Sequence, residues 1–212
     1  HEINAQITKL LNQSIKSTGV INIINVSDEV SLFDPEFLDK VRSMESSNLT
    51  ISLLEKLLND QVKGYKRKNI IKSEEFSDLL KQTMNSYVNG HITNDEVIEE
   101  LIKIAKLLRE AHKEGEKLGL TEEELAFYNA IALPENIHDF YTDETLIKIT
   151  QELTESLRRN RTIDWQKKES ARANMRRTVK RLLKKYDYPP EEMKSALEKV
   201  IAQCELWADV TI

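Results

Sequence analysis

The sequence predicts an all-α fold, an elongated bundle of about eight helices without a substantial sheet. Glycine and proline are scarce, at 5 and 4 of 212 residues, and they fall between segments with helical hydrophobic periodicity. Charged residues make up 32% and hydrophobic residues 40%, which is typical of a well-solvated helical protein. A chain of this length buries ~70% of its unfolded surface, so it can form a core without disulfides or metals.

Helix boundaries in the first part of the chain follow from hydrophobic spacing and capping residues. We expect an extended segment at 19–24 and helices over residues 3–16, 35–44, 49–67, 73–89, 93–119 and 121–133. The start and stop signals are Asp34-Pro35, Ser73-Glu74-Glu75, the capping boxes Thr93/Glu96 and Thr121/Glu124, and the stops Gly90 and Gly119.

Three more helices are predicted after Pro134, over residues 141–157, 165–186 and 190–206. Asp164 has the character of an N-cap, and Tyr188-Pro189-Pro190 ends one helix and begins the next. The composition shifts at Pro134. We therefore expect either two regions, 1–133 and 134–212, or one continuous domain over 1–212.

Positive charge is concentrated in and just before the predicted helix at 165–186. Residues 158–185 contain 12 Lys/Arg and 2 Asp/Glu, whereas the whole chain has a net charge of −5. Such asymmetry indicates an anionic partner at this segment. The helix is amphipathic, with an apolar stripe from Ala171 to Tyr186 and basic residues opposite.

The basic face supplies the candidate contact residues, which could meet an acidic protein surface or neutralise DNA phosphates. A merely solvated face, or one paired with acidic helices of the same chain, is the alternative. The face lacks aromatic residues, which argues against single-strand binding. Trp165 and Tyr186 are expected to anchor the helix structurally, and an interface hot spot is the alternative role for Trp165. The candidates are Arg172, Arg176, Arg177, Lys180, Arg181, Lys184 and Lys185.

No motif for catalysis, nucleotide binding or metal binding is found. The five glycines are isolated, so no phosphate-cradling loop is formed. Glu110, His112 and Glu114 lie two residues apart, and helical residues at that spacing do not share a face. Cys204 has no His or basic neighbour that would activate it as a nucleophile. We expect no catalytic residue, metal or cofactor in this chain.

Several segments resemble the C-terminal region of the restriction (R) subunits of type I restriction–modification enzymes. Residues 162–177 (TIDWQKKESARANMRR) and 179–190 (VKRLLKKYDYPP) carry the resemblance most specifically. Residues 119–128 (GLTEEELAFY), 31–34 and 69–76 also fit, so it covers nearly the whole chain. Asp187 stands where Gly is more usual, and Asn129 where Asp is more usual.

The resemblance implies a large parent subunit with a nuclease, an ATP-driven DNA translocase motor and this helical region. It implies that the helical region docks the motor and nuclease onto the methyltransferase core of modification and specificity subunits. ATP and Mg²⁺ would serve the parent, an ATP-dependent type I site-specific deoxyribonuclease. Double-stranded DNA is the second partner that the basic helix could contact.

The remaining expectations concern location and completeness. The chain has no apolar run of ~18 residues, so no membrane partner is expected. No signal peptide is recognisable, and the single cysteine fits a reducing compartment, so we expect a cytoplasmic protein. The chain begins at His1 rather than Met, as expected of a fragment.

Overall fold

A computed structural model describes residues 32, 35–44, 47–134, 137–160 and 169–208. The described residues form nine helices and no strand, which confirms the predicted all-α fold. The expected helix at 3–16 and the extended segment at 19–24 lie outside them. The helices are α1 (Pro35–Arg42), α2 (Ser47–Tyr65), α3 (Ile70–Val88), α4 (Asn94–Leu118), α5 (Glu122–Ala132), α6 (Ile137–Phe140), α7 (Asp143–Asn160), α8 (Glu169–Lys185) and α9 (Pro190–Ala208).

Both predicted capping boxes are present. The Glu96 carboxylate accepts the Thr93 backbone N–H at 2.7 Å, and the Thr93 hydroxyl accepts the Glu96 N–H at 3.3 Å. Thr121 and Glu124 make the same pair of bonds at 2.8 and 3.3 Å. Each box satisfies two backbone donors that a helix start otherwise leaves unpaired, which fixes where α4 and α5 begin.

The predicted start of α3 at Ser73 is wrong. The helix begins at Ile70, because the side chain of Asn69 accepts the Lys72 N–H at 3.1 Å and serves as the N-cap. Ser73 is buried within the first turns, where its hydroxyl donates to the Val62 carbonyl at 2.9 Å. The short helix α6 was not predicted.

The buried apolar residues form two clusters. One is built from α1 to α4 with Leu32, and includes Leu54, Leu58 and Leu101. The other is built from α5 to α9 with Leu120, and also takes Ile71 from the start of α3. Helix α5 precedes the predicted boundary at 133/134 but contributes to the second cluster. The division into domains stays a prediction.

The two clusters meet where α3 begins against α9. The Ile70 N–H donates to the Gln203 side-chain oxygen at 2.7 Å, and Lys199 of α9 forms an ion pair with Glu74 of α3. Lys68 bonds Glu122 nearby at 3.0 Å. The basic helix α8 packs against α7 on one side and α9 on the other.

None of the helices in the described ranges is both long enough and apolar enough to cross a membrane.

Candidate contact surface on the basic helix

Helix α8 is held by its apolar face. Met175, Val179 and Leu183 are at most 2% exposed and pack into the second cluster, while the opposite face points to solvent. The helix carries seven Lys/Arg and one Glu. The described helix begins at Glu169, so the predicted cap Asp164 and the predicted anchor Trp165 lie outside the described residues.

The C-terminal end of α8 is fixed by a left-handed residue. Asp187 has a φ of 55°, the conformation that usually requires Gly after a helix. The Tyr188 N–H donates to the Leu183 carbonyl at 3.0 Å, and the Asp187 N–H donates to the Lys184 carbonyl at 3.1 Å. These bonds satisfy two carbonyls at the helix end and turn the chain directly into α9.

Two basic residues of α8 are tied to neighbouring helices, one on each side. Arg172 forms an ion pair with Glu205 of α9, and its Nε donates to the same carboxylate at 3.0 Å. Lys185 lies 2.5 Å from Glu152 of α7. Both side chains are engaged within the chain, and we call these two ion pairs the anchors of α8.

Tyr186 joins the anchor on the α7 side. Its hydroxyl donates to Glu152 at 2.6 Å, and its carbonyl accepts the Tyr141 hydroxyl at 2.7 Å. Lys185 lies 5.2 Å from the centre of the Tyr186 ring. Hydrogen bonds from Lys185 and Tyr186 lower the pKa of Glu152, and the same contact raises the pKa of Lys185.

The other five candidates form what we call the cationic stripe: Arg176, Arg177, Lys180, Arg181 and Lys184. All are exposed, and none makes an ion pair within the described part of the chain. Among the described residues, Arg177 is the one member of the stripe with a side-chain hydrogen bond, which it donates to the Ala173 carbonyl of its own helix at 3.4 Å. At 100° per residue the five cover one face between the two anchors. No acidic residue occurs from Arg176 to Lys185.

A groove that the sequence did not predict adjoins the stripe at the α8–α9 turn. We call it the end groove. Its floor is apolar, and Tyr188, itself 1% exposed, fixes that floor by donating its hydroxyl to the Ile131 carbonyl at 2.7 Å. The groove measures about 810 Å³ and is open to solvent. It is lined by Lys180, Lys184, Asp187, Tyr188, Pro190, Met193, Lys194 and Leu197.

The other chemically interesting residues are engaged in packing or in surface pairs. The His112 ring packs on Tyr65 with centroids 4.5 Å apart, Glu110 bonds Lys117 at 2.6 Å, and Cys204 is buried. Within the described ranges, no group of three or more His, Cys, Asp or Glu side chains could hold a metal ion.

The comparisons with known proteins decide the family. Residues 1–209 match the model of the type I restriction enzyme HindI endonuclease subunit-like C-terminal family. The chain belongs to this family. The resemblance to type I restriction subunits is therefore confirmed, and the chain corresponds to the C-terminal domain of such a subunit.

Two curated relatives support the assignment. The chain is 39% identical over 201 residues to the type I restriction enzyme HindI endonuclease subunit of Haemophilus influenzae, covering 93% of this chain. It is 32% identical over 190 residues to a putative type I restriction enzyme MjaIXP endonuclease subunit of Methanocaldococcus jannaschii, covering 87%. It spans 19% and 18% of those proteins' lengths. No solved structure matches the chain.

Proposed function

We propose that this domain docks the motor and nuclease of a type I restriction enzyme onto the modification and specificity subunits. The cationic stripe is the surface that makes the contact. Its five cations, which make no ion pair among the described residues, are the observation that carries the proposal, since such a group steers and orients an anionic partner surface. ATP and Mg²⁺ would serve the motor, outside this chain.

The fixed orientation of α8 supports a docking role for the stripe. The buried apolar face of α8, packed between α7 and α9, fixes the rotation of the helix, so the stripe is presented in one orientation. A preorganised surface loses less conformational freedom on binding than a mobile one. The proposed partner face carries carboxylates spaced to meet the stripe.

DNA is the second candidate partner, and the absence of acidic residues from Arg176 to Lys185 favours it. Five cations that neutralise five phosphates would give a salt dependence with a slope of about −4.5 in log K against log salt. If the stripe instead contacts a protein, the subunit should bind the methyltransferase core in the absence of DNA.

A pull-down with the full-length endonuclease subunit tests the proposal. The purified methyltransferase core is the target, with and without DNA, at low and moderate salt. The test variant is Arg177→Glu/Lys180→Glu/Arg181→Glu. The matched control is Lys56→Glu/Lys63→Glu/Lys106→Glu, which reverses three exposed lysines on α2 and α4 that make no ion pair in the described ranges.

We expect the wild type and the control to bind the DNA-free core, and the stripe variant to bind about 10- to 100-fold more weakly. Equal binding by the stripe variant and the control would refute docking through the stripe. Binding that requires DNA and disappears as the salt concentration rises would assign the stripe to the DNA backbone instead.

A further inference from the structure

The end groove combines an apolar floor with unpaired cations, a combination that the stripe alone does not have. Its floor includes the half-buried Leu197 and Met193, which is 9% exposed. Three lysines line it: Lys180 and Lys184 from α8, and Lys194 from α9. Protein interfaces have an apolar core with a polar rim, and their energy concentrates where one large side chain fills a pocket.

The lysines of the groove make no ion pair with the described residues, even though a carboxylate lies close by. Asp187 lines the same groove, yet no ammonium nitrogen of the three lysines lies within 4 Å of a carboxylate in the described part of the chain. The groove therefore keeps a surplus of positive charge. Its charge is complementary to carboxylates that a partner brings.

We infer that the end groove binds an acidic segment of the methyltransferase core that presents one large apolar side chain flanked by carboxylates. The apolar side chain covers Leu197 and Met193, and the carboxylates meet Lys180, Lys184 and Lys194. This rests on the proposed docking function and names the chemistry of its partner. A DNA backbone fits the groove poorly, because it offers phosphates but no apolar side chain for the floor.

The groove is continuous with the cationic stripe. Lys180 and Lys184 belong to both, so a bound segment would run from the stripe across the α8–α9 turn onto Lys194. Lys194 and Leu197 lie on α9 and are not part of the stripe. Substitutions there test the groove without changing the rest of the stripe.

The test is the affinity of the full-length subunit and its variants for the purified, DNA-free methyltransferase core. The groove variants are Leu197→Gln and Lys194→Glu. The comparison is Arg177→Glu/Arg181→Glu, which changes the stripe but not the groove. We expect each groove variant to weaken binding about tenfold. If Leu197→Gln misfolds by circular dichroism, the exposed Lys194→Glu decides the result.

The outcomes separate the two proposals. If Lys194→Glu binds as tightly as the wild type while Arg177→Glu/Arg181→Glu binds weakly, the groove proposal is overturned and the docking proposal stands. Unchanged affinity in all variants, or no binding by the wild type, overturns docking and the groove with it.

Photo-cross-linking then identifies the occupant. Lys194 is replaced by p-benzoyl-phenylalanine, and Lys63 on α2 is replaced in the same way as a control. The inference expects a cross-link from position 194 to a core segment rich in Asp or Glu with a large apolar residue, and none from position 63. A cross-link to a basic segment or to added DNA would contradict it.

Discussion

Helices α4 and α8 end in the same geometry with different residues in the left-handed position. That residue is Gly119 after α4, with φ 66°, and Asp187 after α8, with φ 55°. In both turns the next residue donates its N–H to the carbonyl five residues back, at 2.8 Å for α4 and 3.0 Å for α8. Substitutions at the two positions should therefore change stability in opposite directions.

The magnitudes follow from the backbone. A left-handed conformation costs a residue with a Cβ about 1–2 kcal/mol, with Asp at the low end. Gly in turn lowers stability by ~0.4–1 kcal/mol through its greater freedom in the unfolded chain. Asp187→Gly should therefore stabilise the fold by about 0.5 kcal/mol. A Cβ at Gly119 would meet nothing within 4 Å, so Gly119→Ala should cost only the backbone term of about 1 kcal/mol.

Urea unfolding followed by far-UV circular dichroism measures both changes as shifts in the midpoint. Asp187→Asn is the control, because it keeps the side-chain shape and removes the charge at the end of α8. We expect it to stay within about 0.5 kcal/mol of the wild type. A lower midpoint for Asp187→Gly, or an unchanged midpoint for Gly119→Ala, would refute the strain argument.

Three further predictions concern single contacts. Thr121→Ala removes the capping box of α5 and should lower stability by about 1 kcal/mol in thermal unfolding; no change would mean that packing alone sets this helix start. Tyr188→Phe leaves the Ile131 carbonyl at the end of α5 without its donor and should cost about 1–2 kcal/mol by urea unfolding, whereas a neutral effect would contradict the buried bond. Lys185 and Tyr186 lower the pKa of Glu152 from 4.5 in the folded chain, so the contact stabilises the fold above that value and is lost as pH falls through the lowered one. The unfolding midpoint of Glu152→Gln, measured across the acid range, should therefore fall less steeply with decreasing pH than that of the wild type, and parallel curves would contradict this.

Local signals in the sequence were sufficient for most helix boundaries. The capping boxes at Thr93 and Thr121 and the stop at Gly119 depend on residues three or four apart, so their spacing in the sequence is their spacing in space. The predicted start of α3 was wrong because the sequence offers two polar residues, Asn69 and Ser73, as N-caps. Asn69 caps the helix, and Ser73 bonds Val62 of another helix, a contact that no local pattern reveals.

The basic face of α8 was predicted from its periodicity. Which of its residues pair within the chain and which do not was not predicted. Arg172 pairs with Glu205, 33 residues away, and Lys185 pairs with Glu152 at the same separation. Both depend on how α7 and α9 pack against α8. The end groove depends in addition on the α8–α9 turn. Tertiary packing therefore decides which cations pair within the chain.

The dissociation constant of the full-length subunit and the DNA-free methyltransferase core tests the central claim most directly. It should be measured at moderate salt for the wild type, for Arg177→Glu/Lys180→Glu/Arg181→Glu, and for the control Lys56→Glu/Lys63→Glu/Lys106→Glu on α2 and α4. Docking through the cationic stripe predicts a dissociation constant about 10- to 100-fold higher for the stripe variant and unchanged for the control. Equal dissociation constants for all three proteins would contradict it.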